Sequence, residues 1–345
     1  MSAAGVLSAI DRYKYDVIAV GITKSGAWYA FDGEPDSLQI HDGVLPEVKA
    51  AGTQVRMSLD PAVRGFVAVD GSTLPDAFSH VDVVFPVMHG PFGEDGTIQG
   101  ALEFADVACV GSGVFASAAA MDKAHMKAMF RAHNLPIGGF EVITNTQWIN
   151  HQSESLARVA KLGLPVFVKP TRAGSSLGVI KVKTADALEA AINEARVHDP
   201  KVIVEAAIEN AREIECGVLV RDGVPRASVT AEIVVHGQHE FYDFEAKYLE
   251  DSADLVVPAE LPREIESEVQ ALAIKAFEAL DCEGFARCDF FVRENGEVIL
   301  NEVNTLPGFT PISMFPRMWQ ASGLSYAEII DTLIVDAMRR GTGLR

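Results

Sequence analysis

The sequence predicts a protein of mixed α/β and α+β class, with an N-terminal domain built on a parallel sheet and two lobes after it. Three observations predict this class. Short, nearly continuous apolar runs rich in β-branched residues occur at 16–22 and 81–87. A strand, helix and strand pattern fills the middle of the chain, and an alternating hairpin lies near its end. We expect the domains at 1–121, 122–220 and 221–345.

The two early apolar runs are typical of strands that are covered on both faces, as in a parallel sheet. From Asp122 the pattern becomes helical, because Met126, Met129 and Phe130 share one face. Asp122 is a suitable N-cap for this helix, and Leu135 followed by a proline ends it. We therefore place a domain boundary at Asp122.

The middle of the chain predicts a compact α+β unit. Strands at 165–169 and 178–182 flank a Gly/Ser-rich loop and predict a hairpin. Thr184 then opens a helix with an apolar stripe, and a strand at 202–205 follows. Farther on, Pro262 lies at the first turn of a long helix whose apolar stripe belongs to the core.

The segment 287–304 predicts an antiparallel hairpin with its turn at Asn295-Gly296. Asn-Gly between two alternating strands is the strongest short signal for such a turn. A two-residue turn would pair Glu294 with Glu297. Counting back along the ladder sets the register of the whole hairpin.

This register places Asp289 opposite Glu302 and Arg287 opposite Asn304, with all four side chains on one face. Two carboxylates at about 5 Å repel each other unless a cation lies between them. Oxygen ligands from Asp289, Glu302 and Asn304 suit magnesium or manganese. The alternative is a solvated acidic face on an edge hairpin. The turn-rich loop at 304–313 favours the metal site, because it places backbone N–H groups and a hydroxyl beside it.

A phosphate-binding loop is predicted between the two strands of the middle hairpin. Gly174, Ser175 and Ser176 can bend there and offer donors to phosphate oxygens. The loop matches neither the P-loop pattern nor the dinucleotide pattern. Lys123 at a helix start and Lys169 at a strand end are candidate phosphate ligands.

A long loop is predicted at 236–248, where aromatic and acidic residues follow a polar stretch. Loops of this kind close over a site and exclude water. The four cysteines lack the spacing of metal ligands. We expect buried, reduced thiols at Cys109, Cys216, Cys282 and Cys288.

The composition limits the possible functions. With 345 residues the chain is long enough for two or three separate cores, and 48% hydrophobic and 22% charged residues are typical of a globular protein. The formal charge of -19 repels polyanions, so we expect no nucleic-acid partner. The apolar stretches are far shorter than the ~20 residues of a membrane span, and no secretory signal is visible. We expect no membrane partner and a cytoplasmic location.

Several of these segments together resemble a known family. Lys169 with its loop, Asp289 and the pair Glu302-x-Asn304 resemble the ATP-grasp superfamily. The segment 89–100 (HGPFGEDGTIQG) resembles the first signature of the D-alanine:D-alanine ligase family. The segment 287–308 together with Ser313 resembles the second signature of that family. The matches occur in order and cover nearly the whole chain, so the resemblance is specific.

The resemblance implies an N-terminal pre-ATP-grasp domain followed by a two-lobed ATP-grasp fold, and it implies roles for individual residues. The residues implied to bind ATP are Lys123, Lys169, Ser175, Ser176, Glu205, Ile208, Glu213 and Lys247, with Glu213 on the ribose and Lys247 on the γ-phosphate. The residues implied to hold two magnesium or manganese ions are Asp289, Glu302 and Asn304. The residues implied to act on the substrates are His89, Ser175, Tyr248, Arg287, Gly308 and Ser313. Among these, His89 would line the first D-alanine subsite, Ser313 would bind the second carboxylate, and Arg287 with the Gly308 N–H would stabilise the oxyanion.

The resemblance also implies a reaction. The carboxylate of one D-alanine attacks the γ-phosphate of ATP, and the amine of a second D-alanine then displaces phosphate from the acyl phosphate. The product D-alanyl-D-alanine serves peptidoglycan synthesis, and thereby the cell wall and cell shape. Tyr248 beside Lys247 favours an amine, hence D-alanine, as the second substrate. A homodimer formed through the N-terminal domain is expected from the same resemblance.

The sequence departs from the family pattern at its start. Members begin with a strand, a glycine-rich turn carrying a glutamate, and a helix, whereas residues 1–10 here resemble that helix already under way. We expect that the native protein starts upstream, or that this chain is unstable and poorly active, because losing a central strand would expose its neighbour's edge. Measuring the intact mass of the endogenous protein tests this expectation.

Two other functions remain open at this point. One is an ATP-grasp ligase with a different substrate pair, such as D-alanine with D-lactate or with D-serine. The other is a nucleotide-binding protein with impaired turnover, which the missing glutamate suggests. A panel of amino acids in a phosphate-release assay, with calorimetric ATP binding beside it, discriminates among the three.

Overall fold

The computed structural model of the chain describes residues 1–40, 44–174, 177–235 and 253–343. Its N-terminal part has a four-stranded antiparallel sheet, a parallel pair of short strands and three helices. The sheet runs in the order β1 (Ala19–Ile22), β2 (Trp28–Phe31), β3 (Gln54–Met57) and β4 (Phe66–Ala68). The parallel pair is β5 (Val83–Val84) with β6 (Ala108–Cys109). The helices are α1 (Ser2–Ala9), α2 (Thr97–Phe104) and α3 (Val114–Met121).

The two apolar runs predicted as parallel strands have different outcomes. The run at 81–87 contains β5, which pairs in parallel with β6 as expected. The run at 16–22 forms β1, but β1 pairs antiparallel with β2, so its predicted place in a parallel sheet is wrong. A tight turn is the reason: the Gly26 N–H donates to the Thr23 carbonyl, and a link this short joins only antiparallel strands.

Where the structure describes it, the middle of the chain forms a second antiparallel sheet with four helices. The sheet contains β7 (Phe140–Ile143), β8 (Val166–Pro170), β9 (Ile180–Val182) and β10 (Val202–Ala206), in the order β7-β10-β8-β9. The helices are α4 (Lys123–Ala132), α5 (Asn145–Asn150), α6 (Gln152–Val159) and α7 (Leu188–His198). The predicted β8–β9 hairpin and the Asp122 N-cap are confirmed, since Asp122 accepts from the N–H groups of Ala124 and His125.

Within its described residues, the C-terminal part is a five-stranded antiparallel sheet with three helices. The strands are β11 (Ala211–Arg221), β12 (Val224–Val235), β13 (Ala253–Val256), β14 (Phe285–Arg293) and β15 (Val298–Asn304), in the order β13-β12-β11-β14-β15. The helices are α8 (Arg263–Ala279), α9 (Met314–Ala321) and α10 (Tyr326–Arg340). The predicted start of α8 after Pro262 is confirmed.

The division at residue 220 stays a prediction. All but the last residue of strand β11 lies before that boundary, yet the strand is hydrogen-bonded to both β12 and β14, which lie after it. One buried cluster likewise joins Phe130 of α4 to Phe277 of α8 and Phe290 of β14. The middle sheet has its own core, in which Ile143, Val168 and Ile192 are among the fully buried residues.

The prediction of buried, reduced thiols is confirmed for three of the four cysteines, whereas Cys109 is free but only partly buried. All four are free thiols, and three of them, Cys216, Cys282 and Cys288, are buried. Within the described ranges, no helix has the length and apolar character that crossing a membrane requires.

Candidate active site

A cleft of about 1570 Å³ is lined both by the middle sheet and by the β14–β15 hairpin. It brings together every described residue for which the sequence predicted a role. These are His89, Lys123, Lys169, Glu205, Ile208, Glu213, Arg287, Asp289, Glu302, Asn304, Gly308 and Ser313. The predicted residues Ser175, Ser176, Lys247 and Tyr248 lie outside the described residues, as does the whole predicted loop at 236–248.

The predicted register of the carboxylate hairpin is confirmed at its functional end. Arg287 is paired with Asn304 and Asp289 with Glu302. The predicted pair of Glu294 with Glu297 is wrong, because the Arg293 N–H donates to the carbonyl of Glu297.

The turn is therefore one residue longer than the two-residue turn that Asn-Gly predicts. It contains residues 294–296 and ends at Gly296 with a φ of 85°, a conformation that glycine adopts without steric cost. A bulge at Asn301 compensates for this extra residue, since Phe290 faces Leu300 while Asp289 faces Glu302. The two irregularities cancel, so the acidic pair lies where the simple count placed it.

Asp289 is held by a cation and an amide. Arg287 donates from Nε and Nη2 to the two Asp289 oxygens, each at 2.7 Å. Asn304 Nδ2 donates to Asp289 Oδ2 at 2.9 Å. Arg287 Nε also lies 3.2 Å from Glu215 Oε1. Although burial opposes it, the charges of Asp289 and Glu215 raise the pKa of Arg287, so the guanidinium stays charged.

Lys123 connects the hairpin to the predicted phosphate loop. Its Nζ lies 3.6 Å from Glu302 Oε2 and donates to the carbonyl of Ala173 at 3.0 Å. The Lys123 N–H also donates to the carbonyl of Thr171 at the loop's start. The start of α4 thus fixes one end of this loop close to the acidic pair.

Glu205 on β10 lies between two lysines, of which Lys127 is buried and Lys169 is partly buried. Lys169 Nζ donates to Glu205 Oε2 at 2.7 Å, and Lys127 Nζ lies 3.3 Å from Glu205 Oε1. Burial alone would raise the pKa of Glu205, but the two ammonium groups outweigh it and lower that pKa to about 2. Glu205 is therefore a carboxylate at neutral pH.

Ile208 and Glu213 lie at another part of the cleft wall. Ile208 packs beside Gly138. A Cβ added at Gly138 would lie 3.3 Å from Ile208 Cδ1. Glu213 is on β11, paired with Phe291 of β14 and Ile233 of β12. The cleft wall is therefore mixed apolar and acidic here.

His89 is fixed by hydrogen bonds at both ring nitrogens. Its Nδ1 lies 3.0 Å from the carbonyl of Leu306 and its Nε2 lies 3.0 Å from Ser2 Oγ. A carbonyl only accepts, so Nδ1 carries the proton, and burial lowers the pKa of His89, which favours the neutral ring. Nε2 then accepts from the Ser2 hydroxyl, whose oxygen receives the Phe309 N–H at 3.4 Å.

The loop after β15 presents the second predicted subsite. Thr310 donates from its N–H and shares a hydroxyl contact of 2.7 Å with Ser313 Oγ. A Cβ at Gly308 would lie 3.1 Å from Ser313 Oγ, so this close approach needs a glycine or a shift of the serine. Ser313 is the N-cap residue of α9, which places its hydroxyl at the positive end of that helix.

The acidic pair is the candidate site for a divalent ion. Within the ranges that the structure covers, no group of three or more His, Cys, Asp or Glu side chains could ligate a metal. The candidate donor set is two opposed carboxylates and the Asn304 amide, all oxygen-type ligands of the kind that magnesium prefers. Asp289, Glu302 and Asn304 remain a predicted metal site.

Comparison with known proteins identifies the family. A family model described as "D-ala D-ala ligase C-terminus" matches residues 129–335, and one described as "D-ala D-ala ligase N-terminus" matches residues 1–112. The chain belongs to the D-alanine–D-alanine ligase family. The resemblance predicted from the two signatures is thus confirmed.

Individual ligases agree along the whole chain. A D-alanine–D-alanine ligase of Streptomyces coelicolor is 50% identical over 353 residues, covering 100% of this chain and 90% of that protein. One of Mycobacterium avium is 51% identical over 351 residues, covering 100% and 94%. The structure of VanG D-Ala:D-Ser ligase from Enterococcus faecalis superposes with a TM-score of 0.84 at 35% identity, covering 97% and 93%. The predicted ATP-grasp fold class is confirmed by such neighbours.

Three residues of the ligase cleft were missed by reasoning from the sequence. Glu94 lies inside the first signature, and burial raises its pKa to about 7 although Arg287 and the Gly90 N–H oppose the shift. Lys127 and Glu215 are buried beside Glu205 and Arg287. Lys127 lies one helical turn after Lys123, which is the one local signal that could have identified it.

Proposed function

We propose that this chain joins two D-alanines to D-alanyl-D-alanine, with ATP converted to ADP and phosphate, for peptidoglycan precursor synthesis. The observation that carries the proposal is about 50% identity, over the full length of the chain, to proteins named D-alanine–D-alanine ligase. The cleft adds support, because residues of both family signatures line it.

In this proposal the cleft residues bind, orient and stabilise anions. Lys123 and Lys169 face the triphosphate, and Ser313 binds the carboxylate of the second D-alanine. One carboxylate oxygen of the first D-alanine attacks the γ-phosphorus, and ADP leaves. The second amine then attacks the acyl carbon, loses a proton, and phosphate departs. Arg287 and the Gly308 N–H stabilise the oxyanion between these events.

Two magnesium or manganese ions held by Asp289, Glu302 and Asn304 complete the proposed site. The charge pattern of the cleft supports them: Lys123 faces Glu302, Lys127 and Lys169 face Glu205, and Arg287 faces Asp289. Since these cations already meet carboxylates, a triphosphate brings negative charge that needs additional cations. A bound divalent ion supplies this charge and polarises the phosphoryl group.

The same resemblance supports two further proposals, a cytoplasmic location and a homodimer formed through the N-terminal domain. Fractionation of the source cells and analytical ultracentrifugation of the purified chain test them. An extracellular protein or a monomer at all concentrations would refute them.

A second candidate activity is D-alanyl-D-serine formation, because one similar solved structure is that of a D-Ala:D-Ser ligase. The decisive experiment offers ATP, magnesium and D-alanine with D-alanine, D-serine, D-lactate or L-alanine as the second substrate. ADP release and product mass are measured in parallel. We expect D-alanyl-D-alanine as the main product. A larger kcat/KM for D-serine would favour the second activity, and no ADP in any mixture would refute both.

A further inference from the structure

Lys127 on α4 is buried at a junction between the two sheets that line the cleft. Only 4% of its surface is exposed. Its Nζ lies 3.3 Å from Glu205 Oε1 on β10 of the middle sheet. The same Nζ donates to the carbonyl of Asn301 on β15 at 3.2 Å. One ammonium group therefore connects a predicted nucleotide ligand with the strand that carries Glu302.

The Asn301 carbonyl belongs to the bulged residue of β15. A bulge leaves its extra residue outside the regular ladder, so that residue's polar groups need other partners. Lys127 supplies one partner. The outer edge of β15 is held on both sides of the bulge, since Leu300 donates to the Pro136 carbonyl and Val303 to Met126 Sδ.

The bulge decides which way Glu302 points. If the register at Phe290 and Leu300 continued unchanged, Glu302 would face Cys288 instead of Asp289. Cys288 is fully buried in the core on the opposite side of the sheet. A carboxylate directed there would be desolvated, whereas with the bulge Glu302 lines the cleft opposite Asp289.

We infer that Lys127 is a positioning residue of the ligase reaction, which holds Glu205 on the nucleotide side and, through the Asn301 bulge, Glu302 on the metal side. The inference deepens the proposed function and rests on it. Lys127 then supports both nucleotide binding and metal binding. It does not affect D-alanine binding, because the described contacts of its Nζ are with Glu205 and Asn301.

The test compares Lys127→Met, which removes the ammonium group and keeps most of the apolar stem, with the wild-type chain. Lys275→Met, at an exposed position on α8, is the matched control. Calorimetry measures binding of a non-hydrolysable ATP analogue across a magnesium series. Electron paramagnetic resonance measures Mn²⁺ binding with the analogue present, and steady-state kinetics gives the KM of D-alanine.

We expect Lys127→Met to weaken analogue binding and Mn²⁺ binding by tenfold or more, with the KM of D-alanine changed less than twofold. Lys127→Arg should recover part of the loss, because it keeps the charge and the donors. If Lys127→Met fails to fold by circular dichroism, Lys127→Gln takes its place under the same criteria.

Wild-type analogue and Mn²⁺ affinities in Lys127→Met would overturn the inference. So would an equal loss in Lys275→Met, or a D-alanine KM that rises by the same factor as the nucleotide constant. Failure of the proposed function has a different signature, namely wild-type protein that binds the analogue and Mn²⁺ but forms no dipeptide. The binding readouts still decide the role of Lys127 in that case.

Discussion

Glu94 illustrates how position in the fold sets the protonation of a single side chain. Its carboxyl group is buried. The largest effect on its pKa is the loss of hydration, and the pKa rises from 4.5 to about 7. The positive charges of Arg287 and Lys123 partly oppose this shift, and Glu302 adds to it. None of these three is near Glu94 in sequence, which is why the motif alone assigned it no role.

The first prediction concerns the pH dependence of stability. Between pH 4.5 and 7 the unfolded carboxyl ionises while folded Glu94 stays protonated, so the free energy of unfolding falls across that window and is constant above it. Glu94→Gln removes this loss and should be more stable than wild type at pH 8 by up to roughly 3 kcal/mol. At pH 4 the two proteins should be about equally stable.

Thermal unfolding of the ligand-free proteins from pH 4 to 8 measures the effect. Glu268→Gln, at an exposed position, is the control and should follow wild type. Parallel stability curves for wild type and Glu94→Gln would show that Glu94 titrates as an ordinary glutamate.

The second prediction concerns Asp199, which contacts the start of the predicted phosphate loop. Asp199 is buried and accepts bonds from Arg172 Nε and Nη2 and from Thr171 Oγ1. Burial opposes ionisation, but these donors lower its pKa to about 2. Its stabilisation is thus present above pH 3.8 and is lost as the pH falls towards 2. Asp199→Asn should cost about 2–3 kcal/mol at pH 7, measured by urea denaturation.

Acid unfolding provides the second arm of that experiment. Wild type should lose more stability than Asp199→Asn between pH 4 and 2, because only wild type has a carboxyl group with a lowered pKa at this position. Equal stability of the two proteins at pH 7 would show that Asp199 does not stabilise the loop.

At the scale of elements, the β14–β15 hairpin marks what local sequence could and could not predict. Alternation and Asn-Gly identified both strands and the correct opposition of Asp289 and Glu302. The three-residue turn and the Asn301 bulge were not predictable, because contacts from α4 and from Pro136 stabilise the bulge. Similarly, the apolar run at 16–22 indicated a strand but not its antiparallel partner.

The third prediction tests the turn of this hairpin. Gly296 has a φ of 85°, and a Cβ there would lie 3.1 Å from Ile265 Cδ1. Gly296→Ala should therefore lower the free energy of unfolding by about 1–2 kcal/mol, measured by urea denaturation. Gly100→Ala is the control: Gly100 lies in α2 with nothing near its would-be Cβ, so alanine should be neutral or stabilising. If Gly296→Ala left the free energy of unfolding unchanged, the turn would not require glycine at this position.

On the scale of the whole molecule, the sequence predicted the class of fold and most of the cleft, because both follow from motifs that keep their order along the chain. The pairing of each cleft cation with a carboxylate was not predictable from the sequence. The chain carries a net charge of -19, yet Lys123, Lys127, Lys169 and Arg287 converge on one site and each faces a carboxylate there. Such pairing depends on the packing of two sheets against each other.

The fourth prediction follows from a cleft shared by two sheets. A ligand that binds only the folded state stabilises it, by about 2.7 kcal/mol at a hundred times its Kd. Because the cleft's lysines and arginine already meet carboxylates, ATP alone should raise the Tm little, whereas ATP with magnesium should raise it by several degrees. Adding EDTA should reverse the rise.

Asp289→Asn separates the contribution of the metal to the Tm rise from the contribution of the nucleotide. It keeps the size of the side chain but removes one of the two opposed carboxylates, so the magnesium-dependent part of the Tm rise should be lost. The Tm without ligands should not fall by the same amount, because the loss concerns the bound ion. If wild type gained equal stability from ATP with magnesium and from ATP with EDTA, the hairpin would hold no divalent ion, and the phosphates would have to be neutralised by the chain's own cations.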